Sequence, residues 1–121
     1  MYSEKLLDHF EHPRNVGEIA DADASVKVEN PVCGDIMQLS LRMREGRIQE
    51  ARYRTRGCVA AIACGSAVTE LLTGKSIDQA RTITREAVVT AVGGLSNESG
   101  HASHLAMDAI RAALEQLASH K

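Results

Sequence analysis

The chain has 121 residues and a formal charge of −2, a length suited to one domain, expected over residues 1–121, and a charge that gives no footprint for a polyanion partner. Hydrophobic residues make up 44%, yet there are only two Tyr, one Phe and no Trp, so the core is expected to be aliphatic and alanine-rich, and stacking on nucleic-acid bases is nearly excluded. The three cysteines are an odd number, no signal-peptide pattern is read and no apolar run would span a membrane; a reducing cytoplasm is the expected setting, with thiols that are free, metal-bound or reactive.

In chain order, Ser3 is placed to cap a short helix carrying Leu6, Leu7 and Phe10, which "HPRNVG" stops at Pro13. "DADASVKVEN" mixes turn residues with an alternating Val26/Val28 segment. "DIMQLSLRM" follows, with Met37, Leu39, Leu41 and Met43 on one face. "REGR" turns the chain and "IQEARYRTR" alternates again, so three short antiparallel strands are expected. Arg52, Arg54 and Arg56 alternate with Ala51, Tyr53 and Thr55. That is a strand with one wet face, or a docking surface for an acidic partner.

After Gly57 the period changes from two to about 3.6. "AAIACGSAVTELLTG" reads as a helix ended by Gly74, and Ser76 with Gln79 forms the capping box of another. "TREAVVTAVGG" is a third, stopped by its glycine pair, and residues 101–119 make the last and longest. The pattern is α+β: a three-stranded antiparallel sheet packed with about five helices.

Chemistry concentrates at a few positions. Cys33 lies in "NPVCGD", where Gly34 lets the backbone bend and Asp35 follows. A thiolate and a carboxylate at such a turn can converge on one cation; the alternative is a buried thiol beside a turn-forming Asp. Cys58, in "RGCVA", sits between a strand and a helix, where the helix N-terminus favours a thiolate that can act as ligand or nucleophile. Cys64 points with Ala61, Val68 and Leu71 along an apolar stripe and reads as a small core hydrophobe. It lies six residues from Cys58, which is not zinc-knuckle spacing.

On the last helix Leu105, Ala106, Ala109, Ala113 and Leu117 mark the buried arc, and Ala102 projects towards it. His104 lies opposite, in line with Asp108, and reads as solvated with a carboxylate neighbour. His101, at the first turn, can reach a site on a neighbouring element. His9, His12 and His120 read as surface.

Taken together, "YSEKLLDHFEHPRNVG", "NPVCGDIM", "RYRTRGCVAAIACGSAVTELLTGKSIDQA" and "GHASHLAMDAIRAAL" resemble the NifU/IscU type of iron–sulfur scaffold, from Tyr2 to about Leu114. The resemblance implies a three-stranded α+β fold and a non-enzymatic scaffold. Such a scaffold assembles a cluster, commonly [2Fe–2S], with sulfur from a cysteine desulfurase, and passes it to acceptor apo-proteins; zinc often takes the same site. Residue by residue, Cys33 and Asp35 match the family's first motif, Cys58 its second cysteine and His101 the histidine of its third. No nucleic-acid or membrane partner is implied.

Two departures stand out. The family's third motif is a His-Cys pair, and this chain reads His101-Ala102, one thiolate fewer. Many members carry a proline-containing motif just before it, read by a dedicated chaperone; "LSNES" has no proline, so that partnership is not expected to carry over. Two thiolates, an imidazole and a carboxylate still make four ligands, enough for tetrahedral zinc, and histidine can stand in for cysteine on cluster iron. Two other readings remain open: a relative that binds one zinc or iron ion and builds no cluster, and a thiol enzyme with Cys58 as nucleophile, His101 as base and Asp35 as orienter.

Overall fold

The computed structural model describes residues 2–32 and 34–119, so Cys33 and His120 lie outside the described residues. Helix α1 (Glu4–Glu11) precedes strands β1 (Ala24–Glu29), β2 (Ile36–Arg44) and β3 (Arg47–Arg56). Helices α2 (Val59–Leu72), α3 (Ile77–Arg81), α4 (Arg85–Ala91) and α5 (Gly100–Ser119) follow, with a 3-10 turn at Asn97–Ser99 ahead of α5. The expected α+β class, three-stranded antiparallel sheet and five helices are all present; the 3-10 turn has no counterpart in the sequence reading.

The sheet order is β1-β2-β3. Glu45 and Gly46 both take positive φ, 54° and 77°, which makes the β2–β3 connection a two-residue hairpin turn whose twist matches the strands. Alternation then puts Met37, Leu39 and Leu41 on the core face, opposite Thr55, Tyr53 and Ala51. Met43 departs from that row. A register shift between Arg42 and Met43 breaks the alternation, and Met43 is only half-buried. The outer edge of β3 is covered by the loop after α1: Gly17 N donates to the Tyr53 carbonyl (2.9 Å) and Tyr53 N to that of Asn15 (3.0 Å).

Helices α2 and α5 cover the inner face of the sheet, and α1 packs on α2. Helix α2 carries no single apolar stripe of the kind its sequence suggests. Ala60, Ala61, Ala63, Cys64, Ser66 and Ala67 are all buried, while Leu71 is half-exposed. A helix enclosed by a strand on one side and helices on others needs small residues all round. Gly65 shows why: a Cβ there would lie 2.4 Å from the Tyr53 ring, so only glycine lets α2 sit this close to β3. The Tyr53 hydroxyl donates to the Ile62 carbonyl (2.9 Å) and ties the same seam. Cys64 is fully buried, and burial pushes its thiol up to about 12; it belongs to the core, as its position on the helix predicts.

The α1–α2 seam overturns one expectation. His9 is not a surface residue: it is 8% exposed, its Nδ1 lies 2.8 Å from Ser66 Oγ, and its Nε2 lies 3.7 Å from Glu70 Oε1. The backbone N–H of Arg14 donates to the same Ser66 hydroxyl (2.9 Å), which fixes the exit of α1. The reason is tertiary: α1 packs on α2, whose Ser66 hydroxyl meets both the ring and the Arg14 N–H and closes the histidine in. Burial holds the His9 pKa below its ordinary value, so the ring is neutral. His12 is exposed, as expected. On α5, His104 is exposed, but Asp108 faces Arg111 (3.7 Å) rather than His104. Among the described residues no helix is long and apolar enough to cross a membrane.

Candidate metal centre

Three of the four residues singled out by the sequence come together: Asp35, Cys58 and His101. Each offers one ligand atom, and the three atoms lie within 4.8 Å of one another. They arrive from three separate parts of the chain. Cys33, the fourth, lies outside the described residues.

Asp35 ends the loop between β1 and β2. Asn30 N donates to the Asp35 carbonyl and Gly34 N to the Asn30 carbonyl (both 2.8 Å), while Gly34 takes a φ of 77° that a side chain would resist. This fold-back brings the carboxylate inward, where Asp35 is only 7% exposed. Gly57 makes room for it. A Cβ at residue 57 would fall 2.4 Å from Asp35 Cγ, so glycine is required there by the carboxylate.

Cys58 is the N-cap of α2, and its Sγ accepts from the Ala61 N–H (3.4 Å). Its own N–H points at Asp35 Oδ2 (3.5 Å). The helix terminus is expected to favour a thiolate, but it does not prevail. Burial pushes the Cys58 thiol above its ordinary value, the Ala61 N–H draws it back and the Asp35 carboxylate pushes it up again. The group is a thiol that a cation must deprotonate, not a preformed nucleophile.

His101 is in the first turn of α5. Its Nδ1 lies 3.0 Å from the Glu98 carbonyl, which can only accept, so Nδ1 carries a proton and Nε2 is the nitrogen turned towards the site. That Nε2 lies 3.6 Å from Cys58 Sγ and 3.5 Å from Asp35 Oδ2. The 3-10 turn at Asn97–Ser99 sets the Glu98 carbonyl in place, with Ser96 Oγ capping it through the Ser99 N–H (3.3 Å).

These separations decide between two chemistries. In a catalytic triad the base bonds the nucleophile with one ring nitrogen and the orienter with the other. Here sulfur and carboxylate both face the same nitrogen, and the second nitrogen is taken by a backbone carbonyl. The three atoms form a triangle around a point, as ligands do. Metal bonds of about 2.3 Å to sulfur and about 2.0–2.1 Å to nitrogen and oxygen, at tetrahedral angles, put S and N about 3.6 Å apart and N and O about 3.4 Å apart. The observed 3.6 and 3.5 Å lie close to these values for the two pairs that share His101 Nε2. A soft thiolate, an imidazole and a carboxylate suit zinc or iron rather than calcium or magnesium.

Ala102 follows His101 in the helix and is fully buried, so it adds no donor. Two contributors escape the sequence reading. Gly57 carries a weak signal, a glycine beside a functional cysteine. Glu98 carries none, because it acts through a backbone carbonyl that any residue supplies.

An α+β chain that draws sulfur, nitrogen and oxygen donors to one point from three separate segments has the layout a transition-metal ion requires. A family model described as "NifU-like N terminal domain" matches residues 1–121, and the chain belongs to that family. It is 50% identical over 114 residues to iron-sulfur cluster assembly scaffold protein IscU 1 of Archaeoglobus fulgidus, covering 94% of this chain and 74% of that protein. To the iron-sulfur cluster assembly scaffold protein IscU of Escherichia coli (strain K12) it is 43% identical over 124 residues, covering 99% and 96%. The crystal structure of a nitrogen-fixing NifU-like protein (N-terminal) from Brucella abortus shares the fold, with a TM-score of 0.81 over 98% of this chain and 95% of that one, at 18% identity.

Proposed function

We propose that this protein is an iron–sulfur cluster assembly scaffold. In this reading Asp35, Cys58 and His101, with Cys33, hold iron while a [2Fe–2S]-type cluster is built with sulfur from a cysteine desulfurase, and acceptor apo-proteins then take it. The observation that carries the reading is the convergence of thiol, imidazole and carboxylate from three segments, with His101 Nε2 3.6 Å from Cys58 Sγ and 3.5 Å from Asp35 Oδ2. Similarity to the IscU scaffolds of Archaeoglobus fulgidus and Escherichia coli supports the cargo. The cluster is cargo here, so the protein's work is to hold and release, and no bond of a substrate is turned over by a catalytic group.

Each donor has its part. Cys58 supplies the soft, charged ligand iron favours, once its proton leaves. His101 binds as a neutral ring, its tautomer fixed by Glu98. Asp35 is a harder and weaker ligand for cluster iron, which favours release over permanent storage. Burial of Asp35 and partial burial of Cys58 keep water from crowding the bound cargo.

A second reading is favoured by the spacing itself. The separations match one tetrahedral ion, and Ala102 stands where the family resemblance puts a third cluster thiolate. A single zinc or iron ion, with no cluster, satisfies both facts. One experiment separates the two. The purified protein is reconstituted without oxygen, either with ferrous iron and sulfide or with a desulfurase and cysteine, and iron, zinc and acid-labile sulfide are measured beside the visible spectrum. The scaffold reading expects sulfide in proportion to iron and a cluster chromophore that Cys58→Ala abolishes. The single-ion reading expects about one metal per chain, no sulfide and no chromophore. An Ala102→Cys variant that loads a cluster where the wild type does not would decide for the second.

A further inference from the structure

The outer face of the sheet carries a charge pattern that folding does not use. Most arginines are engaged: Arg14, Arg52, Arg81 and Arg111 face carboxylates, and Arg42 donates to the Ala20 carbonyl. Arg54 and Arg56 are exposed and have no such partner among the described residues, and neither has Lys27. These three cations meet at one place. The strand register puts Lys27 opposite Gln38 and Gln38 opposite Arg54, with Arg56 opposite Ile36. Together with Thr55 they line a surface depression of about 240 Å³ whose walls hold no carboxylate. The acidic groups nearest in the register are Glu29, in the row of Ile36, and Glu18, which accepts from Gln38 Nε2 (3.2 Å).

Lys27 on β1 and Arg54 and Arg56 on β3 flank the central strand with no carboxylate opposite any of them, and such like charges repel unless something answers them. The position is equally specific. Ile36 follows Asp35, and Arg56 is separated from Cys58 only by Gly57. The depression thus lies at the end of the sheet from which the chain runs directly to Asp35 and Cys58.

We propose that this depression receives carboxylate side chains from an acidic segment of a partner protein and so holds that partner against the Asp35–Cys58–His101 site. Two guanidinium forks and an ammonium around a floor of Ile36 and Gln38 suit an Asp or Glu side chain, with its charge at the rim and its stem on the isoleucine. A nucleic acid is disfavoured by a chain with three aromatic residues, a net charge of −2 and an isolated depression in place of a tracking groove. That the partner exchanges cluster or metal rests on the scaffold reading; the docking itself does not.

The test uses the whole chain, isotope-labelled, titrated at low salt with an octaglutamate peptide and followed by amide chemical shifts. Expected are shifts centred on Lys27, Ile36, Gln38, Arg54 and Arg56. An Arg54→Ser/Arg56→Ser variant should bind about tenfold or more weakly, and Arg54→Lys/Arg56→Lys should keep most of the affinity. Binding should also weaken as salt rises, because exposed charges are screened. Both arginines are exposed, so the variants fold, which thermal melting checks. Equal binding by the serine variant, shifts centred on Arg81, Arg85 and Arg111 instead, or tighter binding of an oligothymidylate to the same patch would each overturn the proposal. Metal affinity is read in the same samples: a serine variant that keeps it within about twofold separates docking from loading. A wild type that binds the peptide but no metal would sink the scaffold reading and leave the docking surface standing.

Discussion

Two histidines of this fold sit against polar partners and behave in opposite ways. His9 lies in the α1–α2 seam with Ser66 at one ring nitrogen and Glu70 near the other. His101 lies at the start of α5 with one nitrogen held by Glu98 and the other facing a thiol and a carboxylate. The first ring is closed, and its polar atoms are spent on joining two helices. The second is half-spent: the backbone holds one nitrogen and turns the other towards a sulfur and a carboxylate. A binding site is thus marked by donors left over after folding has taken its share, and neither residue type nor burial alone reveals it.

The contrast is sharpened most by removing a donor. Cys58→Ala should lower zinc or ferrous iron affinity by about a hundredfold or more, since loss of a mere supporting partner costs about 10- to 100-fold. Competition with a chromophoric chelator measures it, while loss of the acceptor for the Ala61 N–H should cost only about 1 kcal/mol of stability. Gly57→Ala comes next. Its Cβ would overlap Asp35, so the carboxylate must move; metal affinity should fall and stability should drop by about 1–3 kcal/mol, read from chelator competition and urea unfolding.

At the closed histidine the pattern should invert. Ser66→Ala strips the hydroxyl that serves both His9 and the Arg14 N–H, and should cost about 1–3 kcal/mol of stability with metal affinity unchanged. The same seam sets a pH dependence. The folded-state pKa of His9 is depressed by burial, so the unfolded chain binds the proton more readily. The stability His9 contributes is therefore complete above its unfolded value of about 6.5 and is lost as pH falls through the lower folded value. Denaturant midpoints between about pH 7.5 and pH 5 should fall in the wild type and fall less in His9→Gln. Smallest of all, His104→Ala should change neither quantity, because His104 is exposed and lies outside the cluster.

These differences also show what a sequence can disclose. Periodicity and capping located the sheet and the helices, because alternation, the Glu45-Gly46 turn and the Ser76/Gln79 box are local signals. Helix α2 escaped that logic: its burial on nearly all sides comes from neighbours far along the chain. Local patterns and the motif resemblance together nominate Asp35, Cys58 and His101 along with Cys33, and the spacing of the first three comes from tertiary packing of a loop, a helix cap and a second helix. His9 reads as surface in the sequence for the same reason. Nothing in "LLDHFEH" says that Ser66, far along the chain, will close over it.

The most direct test of the account is the coordination shell of the zinc-loaded protein by X-ray absorption, in the wild type and in Cys58→Ala. The account predicts a mixed shell, with sulfur at about 2.3 Å and nitrogen or oxygen at about 2.0–2.1 Å, and a sulfur contribution that falls in the variant. A shell of nitrogen and oxygen alone, or one that Cys58→Ala leaves unchanged, would contradict it.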